Sequence, residues 1–269
     1  MTYETIKVRM DGHVGVITLN RPTVLNAINK KLTEETKAVM TAFATDPDVR
    51  AILVHGEGRA FSAGFDMKET AQANISEVTD WKIILDRDFE FIMQFWDSPK
   101  PTVACVHGYC LAGAFEMALA CDVTVAAEGT RFGEPEVRFG AGIVAMLLPW
   151  IAGPKRAKEL LLTGNDQIDA REAMAMGIVN HVVPEAEALA KAMSIAKDIS
   201  AAASAAVQAT KRVINRTYDI MGMRNALMAA LDADLVITVA GGPEKAEFNR
   251  IRREQGLKAA LAWRDAKFR

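Results

Sequence analysis

His107-Gly-Tyr-Cys-Leu-Ala-Gly-Ala-Phe-Glu-Met-Ala-Leu-Ala-Cys-Asp122 reads as the end of a buried strand, a turn through small residues, and a helix starting near Gly113 with Glu116 in its first turn. The strand is the apolar run Thr102-Val-Ala-Cys-Val106, closed by Gly108. Free N–H groups at a helix start, backed by the positive end of the helix dipole, form a seat for a developing oxyanion. Gly113 lets a substrate oxygen approach the backbone closely. An acid in a first turn also suits the dipole by itself, so Glu116 draws its interest from its neighbours. Most are apolar or small, which desolvates a carboxylate and raises its pKa toward that of a general acid or base near neutrality.

Outward from this stretch, strands alternate with helices, the pattern of an α/β fold. Ala51-Ile-Leu-Val-His55 and Asp122-Val-Thr-Val-Ala126 are further short apolar runs, read as strands buried on both faces. Ile6 to Met10 and His13 to Leu19 flank Asp11-Gly12, which predicts a hairpin with a type I′ turn. Helical spacing appears over Leu32 to Ala44 and Trp81 to Trp96, the latter stopped by Ser98-Pro99-Lys100-Pro101. After about residue 155 the strand signal fades. Asp169-Ala-Arg-Glu172 fits a capping box and Gly177 a left-handed stop. Leu227, Leu231, Leu235 and Val239 read as one apolar stripe, serving either the chain's own core or a subunit interface.

Two further stretches carry candidate chemistry. Arg59-Ala-Phe-Ser-Ala-Gly-Phe-Asp66 is a small-residue turn after a strand, able to supply a second set of backbone donors. Phe132-Gly-Glu-Pro-Glu-Val-Arg-Phe-Gly-Ala-Gly142 places Glu134 and Glu136 on either side of a proline, and one of them is a candidate second carboxylate. Rival motifs fail on their details. Gly108 to Gly113 lacks the Lys-Ser/Thr of a phosphate loop. Gly140-Ala-Gly-Ile-Val-Ala145 has no long strand before it, and Pro149 interrupts the helix a dinucleotide fingerprint must open. His13, His55, His107 and His181 are scattered without metal-ligand spacing, and no serine sits in a Gly-x-Ser-x-Gly elbow, so neither a metal site nor an acyl-hydrolase serine is expected.

Composition narrows the class. A chain of 269 residues with 50% apolar and 25% charged residues buries a sizeable core as one large domain or a core plus an appendage. The net charge of −2 offers no field for nucleic acid, and Lys30-Lys31 and Arg252-Arg253 are too short to make a basic stripe. Three cysteines without a C-x-x-C pair predict reduced thiols in a cytoplasmic setting. Met1-Thr-Tyr-Glu-Thr5 carries no basic-then-apolar leader and no run has membrane-span length, so neither secretion nor insertion is expected.

Taken together these stretches resemble the crotonase (enoyl-CoA hydratase/isomerase) superfamily over most of the chain. Asn20-Arg-Pro through Leu25-Asn-Ala-Ile28 is similar to the family's segment after its first hairpin, and Ala60-Phe-Ser-Ala-Gly-Phe-Asp66 to its first oxyanion loop. The resemblance implies Ala63 and Gly113 as the two N–H donors of an oxyanion hole. It implies that Ala63, Gly64, Phe65 and Asp66, with Gly113, line a coenzyme A site. Glu116 and Glu136, twenty residues apart, match the two catalytic glutamates of hydratases. The implied fold is a spiral of β-β-α turns over residues 1–198, followed by a helical region, 199–269, that builds homotrimers or dimers of trimers. The implied reaction is reversible addition of water to a 2-enoyl-CoA, with no permanently bound cofactor and the substrate carried as a coenzyme A thioester. The sequence departs from the hydratase pattern at Ala112, Ala114 and the loop Gly140-Ala-Gly-Ile-Val-Ala-Met146 beside the acyl pocket. The alternatives are therefore isomerisation or thioester hydrolysis of a branched or cyclic acyl group, and a non-catalytic acyl-CoA-binding subunit. Phe65, Met67, Trp81, Phe139 and Met146 are candidates for a bulky acyl pocket or plain core.

Overall fold

The computed structural model describes residues 3–73, 75 and 77–268, so Met1 and Thr2 of the N-terminal reading lie outside the described residues. β1 (Ile6–Asp11) and β2 (Val14–Leu19) pair antiparallel, with Asp11 opposite Val14. The turn pair is thus Gly12-His13, not Asp11-Gly12, and positive φ is confined to Gly12 at 59°. One positive φ at the first central residue belongs to type II′, so the expected type I′ turn is corrected.

After the hairpin come α1 (Lys30–Thr45), β3 (Ala51–Gly56), α2 (Met67–Gln72), α3 (Val78–Asp97), β4 (Thr102–Val106), β5 (Tyr109–Leu111) and α4 (Gly113–Ala120). β6 (Val123–Ala127), β7 (Arg131–Gly133), a 3-10 turn (Glu136–Phe139), α5 (Leu148–Thr163), β8 (Ile168–Asp169), α6 (Ala170–Ala175), β9 (His181–Val183) and α7 (Glu185–Ala201) follow. Pro149 sits in the first turn of α5, where its missing N–H costs no helical bond, so it opens that helix and does not interrupt it. The capping box at Asp169 and Glu172 is present, with Gly177 at φ 78° just beyond α6.

A six-stranded sheet runs β1-β2-β3-β4-β6-β9, parallel throughout except for the hairpin, and a smaller sheet runs β5-β7-β8. Successive turns give one strand to each sheet and then a helix, as in β4, β5, α4 and in β6, β7, α5. This is the expected spiral. Ile17, Ile52, Val54, Ala104 and Val106 point from the large sheet into the main core. Val16, Leu53, Val103, Cys105 and Val125 point the other way, onto Ala188, Ala192 and Ala196 of α7. Burial on both faces explains why these strands read as unbroken apolar runs. All three cysteines are free and buried, so they behave as small apolar residues.

The fading strand signal past residue 155 hid β8 and β9, two or three residues each, which pair onto β7 and β6. Strands so short leave no periodicity to read. The 198/199 division falls inside the last turn of α7, a helix packed on the sheet.

Beyond α7 lie α8 (Ser204–Ile220), α9 (Met223–Ala240), α10 (Pro243–Gln255) and α11 (Leu257–Ala266). The stripe on α9 is not the one the spacing suggested. Met223, Leu227 and Leu231 are buried in the main core, but Asp234 and Thr238 continue that face, while Leu235 is half-buried and Val239 exposed. At 3.6 residues per turn a strict four-residue spacing drifts by about 40° per step, so Val239 stands about a third of a turn from Leu227. Among the described residues no single helix is long and apolar enough to cross a membrane.

Candidate active site

The site lies where the Ser62–Asp66 loop meets the N-terminus of α4. Asn26, fully buried at φ 53°, donates through Nδ2 to Glu57 O at 2.9 Å and Ala60 O at 2.8 Å and accepts from Arg21 N–H at 2.8 Å. Ser62 Oγ donates to Asn26 O at 2.8 Å. The Leu25–Ile28 segment thereby fixes the loop that follows β3.

This arrangement decides which N–H groups are free. Ala63 N–H donates to Leu25 O at 3.0 Å, Gly64 N–H to Ser62 Oγ at 3.2 Å and Asp66 N–H to Ile28 O at 2.9 Å. Ile28 N–H donates to Gly64 O at 2.8 Å, which makes Ile28 and Phe65 a parallel bridge. In a parallel bridge the bonded groups belong to the residues on either side, so the N–H of Phe65 faces away from Ile28. Among the described residues it meets no acceptor. The expectation that Ala63 supplies a free donor is corrected: its N–H is already spent on Leu25, and the unengaged N–H is two residues on, at Phe65.

Gly113 stands as expected at the first position of α4, where N–H groups have no intrahelical partner. Phe115 and Glu116 N–H both donate to Ala112 O, at 2.7 and 3.1 Å, leaving the Gly113 N–H unengaged among the described residues. A β-carbon at Gly64, whose φ is 87°, would lie 3.3 Å from Gly113 N and 2.7 Å from Ala112 Cβ. Phe65 and Gly113 are therefore neighbours across this contact. Ala112 itself holds φ 56° and ψ −136°, a conformation that a residue with a β-carbon rarely adopts. The sequence departure at Ala112 thus falls on the strained residue of the site.

Glu116 is buried, and its Oε2 accepts from Ala145 N–H at 3.1 Å. Burial pushes its carboxyl well above the usual range and the Glu136 charge adds to this, against the Ala145 and Val144 N–H groups. Glu136 begins the 3-10 turn and is half-buried, with Oε2 unpartnered. Burial pushes it up to about 7, opposed by backbone and Glu134 hydrogen bonds and by the Arg264 charge, while Asp234 adds to the rise. Of the two acids beside Pro135, the structure buries Glu134 more deeply, at 1% exposure.

The loop that replaces the family's Pro-Gly-Gly stretch meets two acids: Glu116 takes the Ala145 N–H, and Asp234 of α9 lies so near Gly142 that a β-carbon there would stand 2.3 Å from its Oδ1. Sequence reasoning missed Asp234. The available signal was an acid at the 227, 231, 234, 238 spacing that keeps to one helical face.

Asp66 caps α2, accepting from Lys68 N–H at 3.0 Å and Glu69 N–H at 3.3 Å, and pairs with Arg21 at 2.9 Å. The Phe65 ring packs edge-on against Phe91. Met67 and Phe139 join Phe248 of α10 in a separate apolar cluster, Trp81 faces Lys245 Nζ at 5.3 Å, and Met146 packs half-buried on the main core. Of the five acyl-pocket candidates, Met67, Phe139 and Trp81 thus gather beside α10, while Phe65 and Met146 pack against the main core. Among the described residues no three His, Cys, Asp or Glu side chains are arranged to hold a metal ion.

Residues 9–239 match the family model described as enoyl-CoA hydratase/isomerase. A crotonyl-CoA hydratase of Syntrophomonas wolfei is 32% identical over 274 aligned positions, covering 100% of this chain and 99% of that one. A short-chain-enoyl-CoA hydratase of Clostridium acetobutylicum is 34% identical over 222 positions, covering 80% and 83%. The crystal structure of an enoyl-CoA hydratase/isomerase from Xanthobacter autotrophicus Py2 superposes with a TM-score of 0.98 at 48% identity, covering all of both chains. With the spiral fold, the paired glutamates and these matches in agreement, the chain belongs to the enoyl-CoA hydratase/isomerase family.

Proposed function

We propose that this enzyme is an enoyl-CoA hydratase, adding water reversibly across the 2,3 double bond of a 2-enoyl-CoA thioester. The observation that carries the reading is the juxtaposition of two unengaged backbone N–H groups, Phe65 and Gly113, with two carboxyls, Glu116 and Glu136, whose proton affinity burial raises. The thioester oxygen accepts both N–H bonds, and each donor is worth about 3 kcal/mol as the enolate develops. The polarised double bond then takes hydroxide character at C3 and a proton at C2. Glu116, whose Oε2 is held in place by the Ala145 N–H, orients and deprotonates the water. Glu136, raised to about 7, delivers the proton.

The coenzyme A moiety follows the backbone of Ala63 to Asp66, where the Arg21–Asp66 pair stiffens the loop. Assembly as a homotrimer or a dimer of trimers is supported by the exposed apolar side chains of the C-terminal helices, among them Val213, Ile220 and Val236. A cytoplasmic location accords with three free, buried thiols.

The test is loss of the conjugated enoyl-thioester absorbance with crotonyl-CoA, comparing wild type with Glu136→Gln. Wild-type turnover to 3-hydroxybutyryl-CoA, depressed about 10²- to 10⁴-fold in the variant with acyl-CoA binding retained, is expected. Equal turnover in the two proteins would remove Glu136 from the chemistry. No turnover by a wild type that binds coenzyme A thioesters would redirect the search to isomerase and hydrolase substrates.

A further inference from the structure

Glu134 is a third carboxyl at this site that the two-glutamate scheme does not use. It follows β7 directly, and its N–H donates to Asn165 O at 3.3 Å. Gly133 O accepts from Ala112 N–H at 2.8 Å, tying this segment to the start of α4. The side chain is 1% exposed, and Oε2 of Glu134, like Oε2 of Glu136, is buried without a donor from the rest of the protein. The two carboxyls face each other at hydrogen-bonding range. Two carboxyl oxygens out of water and in contact disfavour a double charge, so the pair holds a proton more readily than either carboxyl alone.

We infer that Glu134 is a positioning residue that shares a proton with Glu136 and returns it after each turnover. This rests on the hydratase reading. In one turnover the water's hydroxyl bonds to C3, its proton goes to Glu116, and Glu136 gives a proton to C2. The three carboxyls together neither gain nor lose a proton, but Glu136 is left as the carboxylate and Glu116 as the protonated acid. Glu134 refills Glu136 and is itself restored by the proton that Glu116 took, with no exchange with bulk water.

The groups around the pair fit a proton held there. Glu134 faces Glu136, Glu116 of α4 and the neutral thiol of Cys110 on β5. Glu136 faces Glu134, Asp234 of α9 and Arg264 of α11. Arg264 is the sole cation of this set and is itself committed to Asp166 at 3.2 Å and Asp265 at 2.7 Å. Burial, with the charges of Glu136 and Glu116, drives the Glu134 carboxyl well above its usual range.

Infrared spectroscopy of the carbonyl stretch of protonated carboxyls, combined with the pH profile of kcat, tests this on the full chain. At about pH 8, well above an ordinary carboxyl, the wild type should show a protonated-carboxyl band that weakens in Glu134→Gln. That variant, which keeps the size and a hydrogen-bond donor, should lose at least about tenfold in kcat with KM unchanged and a displaced pH profile, while Glu134→Asp should recover part of the rate. Absence of the band in the wild type, which needs no variant to fold, overturns the shared proton. A weakened band with wild-type kcat and pH profile overturns the role in turnover. A wild type that does not hydrate crotonyl-CoA counts against the hydratase reading and with it against the refilling step, while the band still decides whether the proton is shared.

Discussion

The Phe65 ring lies against Gly113 so closely that a β-carbon at Gly113 would stand 2.3 Å from its Cε2. The ring and the Phe65 N–H belong to one residue, so anything that moves the ring disturbs one of the two proposed donors. Gly113→Ala should lower kcat by about 10²-fold, near the loss of one oxyanion donor, with a smaller effect on acyl-CoA binding. Adding Phe65→Ala removes the clashing ring and should recover part of the loss. Steady-state kinetics on the two single variants and the double variant check this, and independent, multiplicative losses would refute the coupling.

The pH dependence of hydration follows from Glu136. Its carboxyl is raised to about 7 by burial, and in the proposed role of proton donor it works only while protonated. The expected kcat profile has an alkaline limb centred near that value and persisting at saturating substrate. A flat profile through neutrality would assign proton delivery elsewhere.

Ala112 is a stability prediction. At φ 56° and ψ −136° its β-carbon is strained by about 1–3 kcal/mol. Glycine relieves that strain but costs about 0.5–1 kcal/mol in unfolded-chain entropy. Ala112→Gly should stabilise the protein by roughly 1 kcal/mol, raising Tm by about 2–4 °C in calorimetry.

Asp88 gives stability its own pH dependence. On α3 it is buried, and burial raises its carboxyl to about 6, against the neighbouring Arg87. Because the folded state holds this proton more tightly than the unfolded chain, the stability it confers is fully present below about pH 4. It is lost as pH rises through 6, by about 3 kcal/mol. Asp88→Asn cannot titrate, so the variant should gain on the wild type as pH rises across that window in urea unfolding. The raised glutamates of the site leave a residual slope of the same sign.

Several features were legible without coordinates. The apolar runs at 51–55 and 102–106 became β3 and β4, and the capping box at Asp169 formed, because burial and local hydrogen bonding act within a few residues. The helix start at Gly113 with Glu116 in its first turn was equally local. The position of the free donor was not. Whether Ala63 or Phe65 offers its N–H depends on Leu25 and Ile28, some forty residues earlier in the chain, which satisfy every other N–H from 63 to 66 together with Ser62.

The same division runs through the acids. The sequence determined that Glu116 and Glu136 sit at a helix start and after a strand, since spacing and local propensity place them there. Only the tertiary structure decided their chemistry, by burying Glu134 against Glu136 and bringing Asp234 from α9 against Gly142 and within reach of the Glu136 charge. Proton affinity depends on desolvation and on charges within a few ångströms, and those neighbours come from strands and helices far apart in the chain.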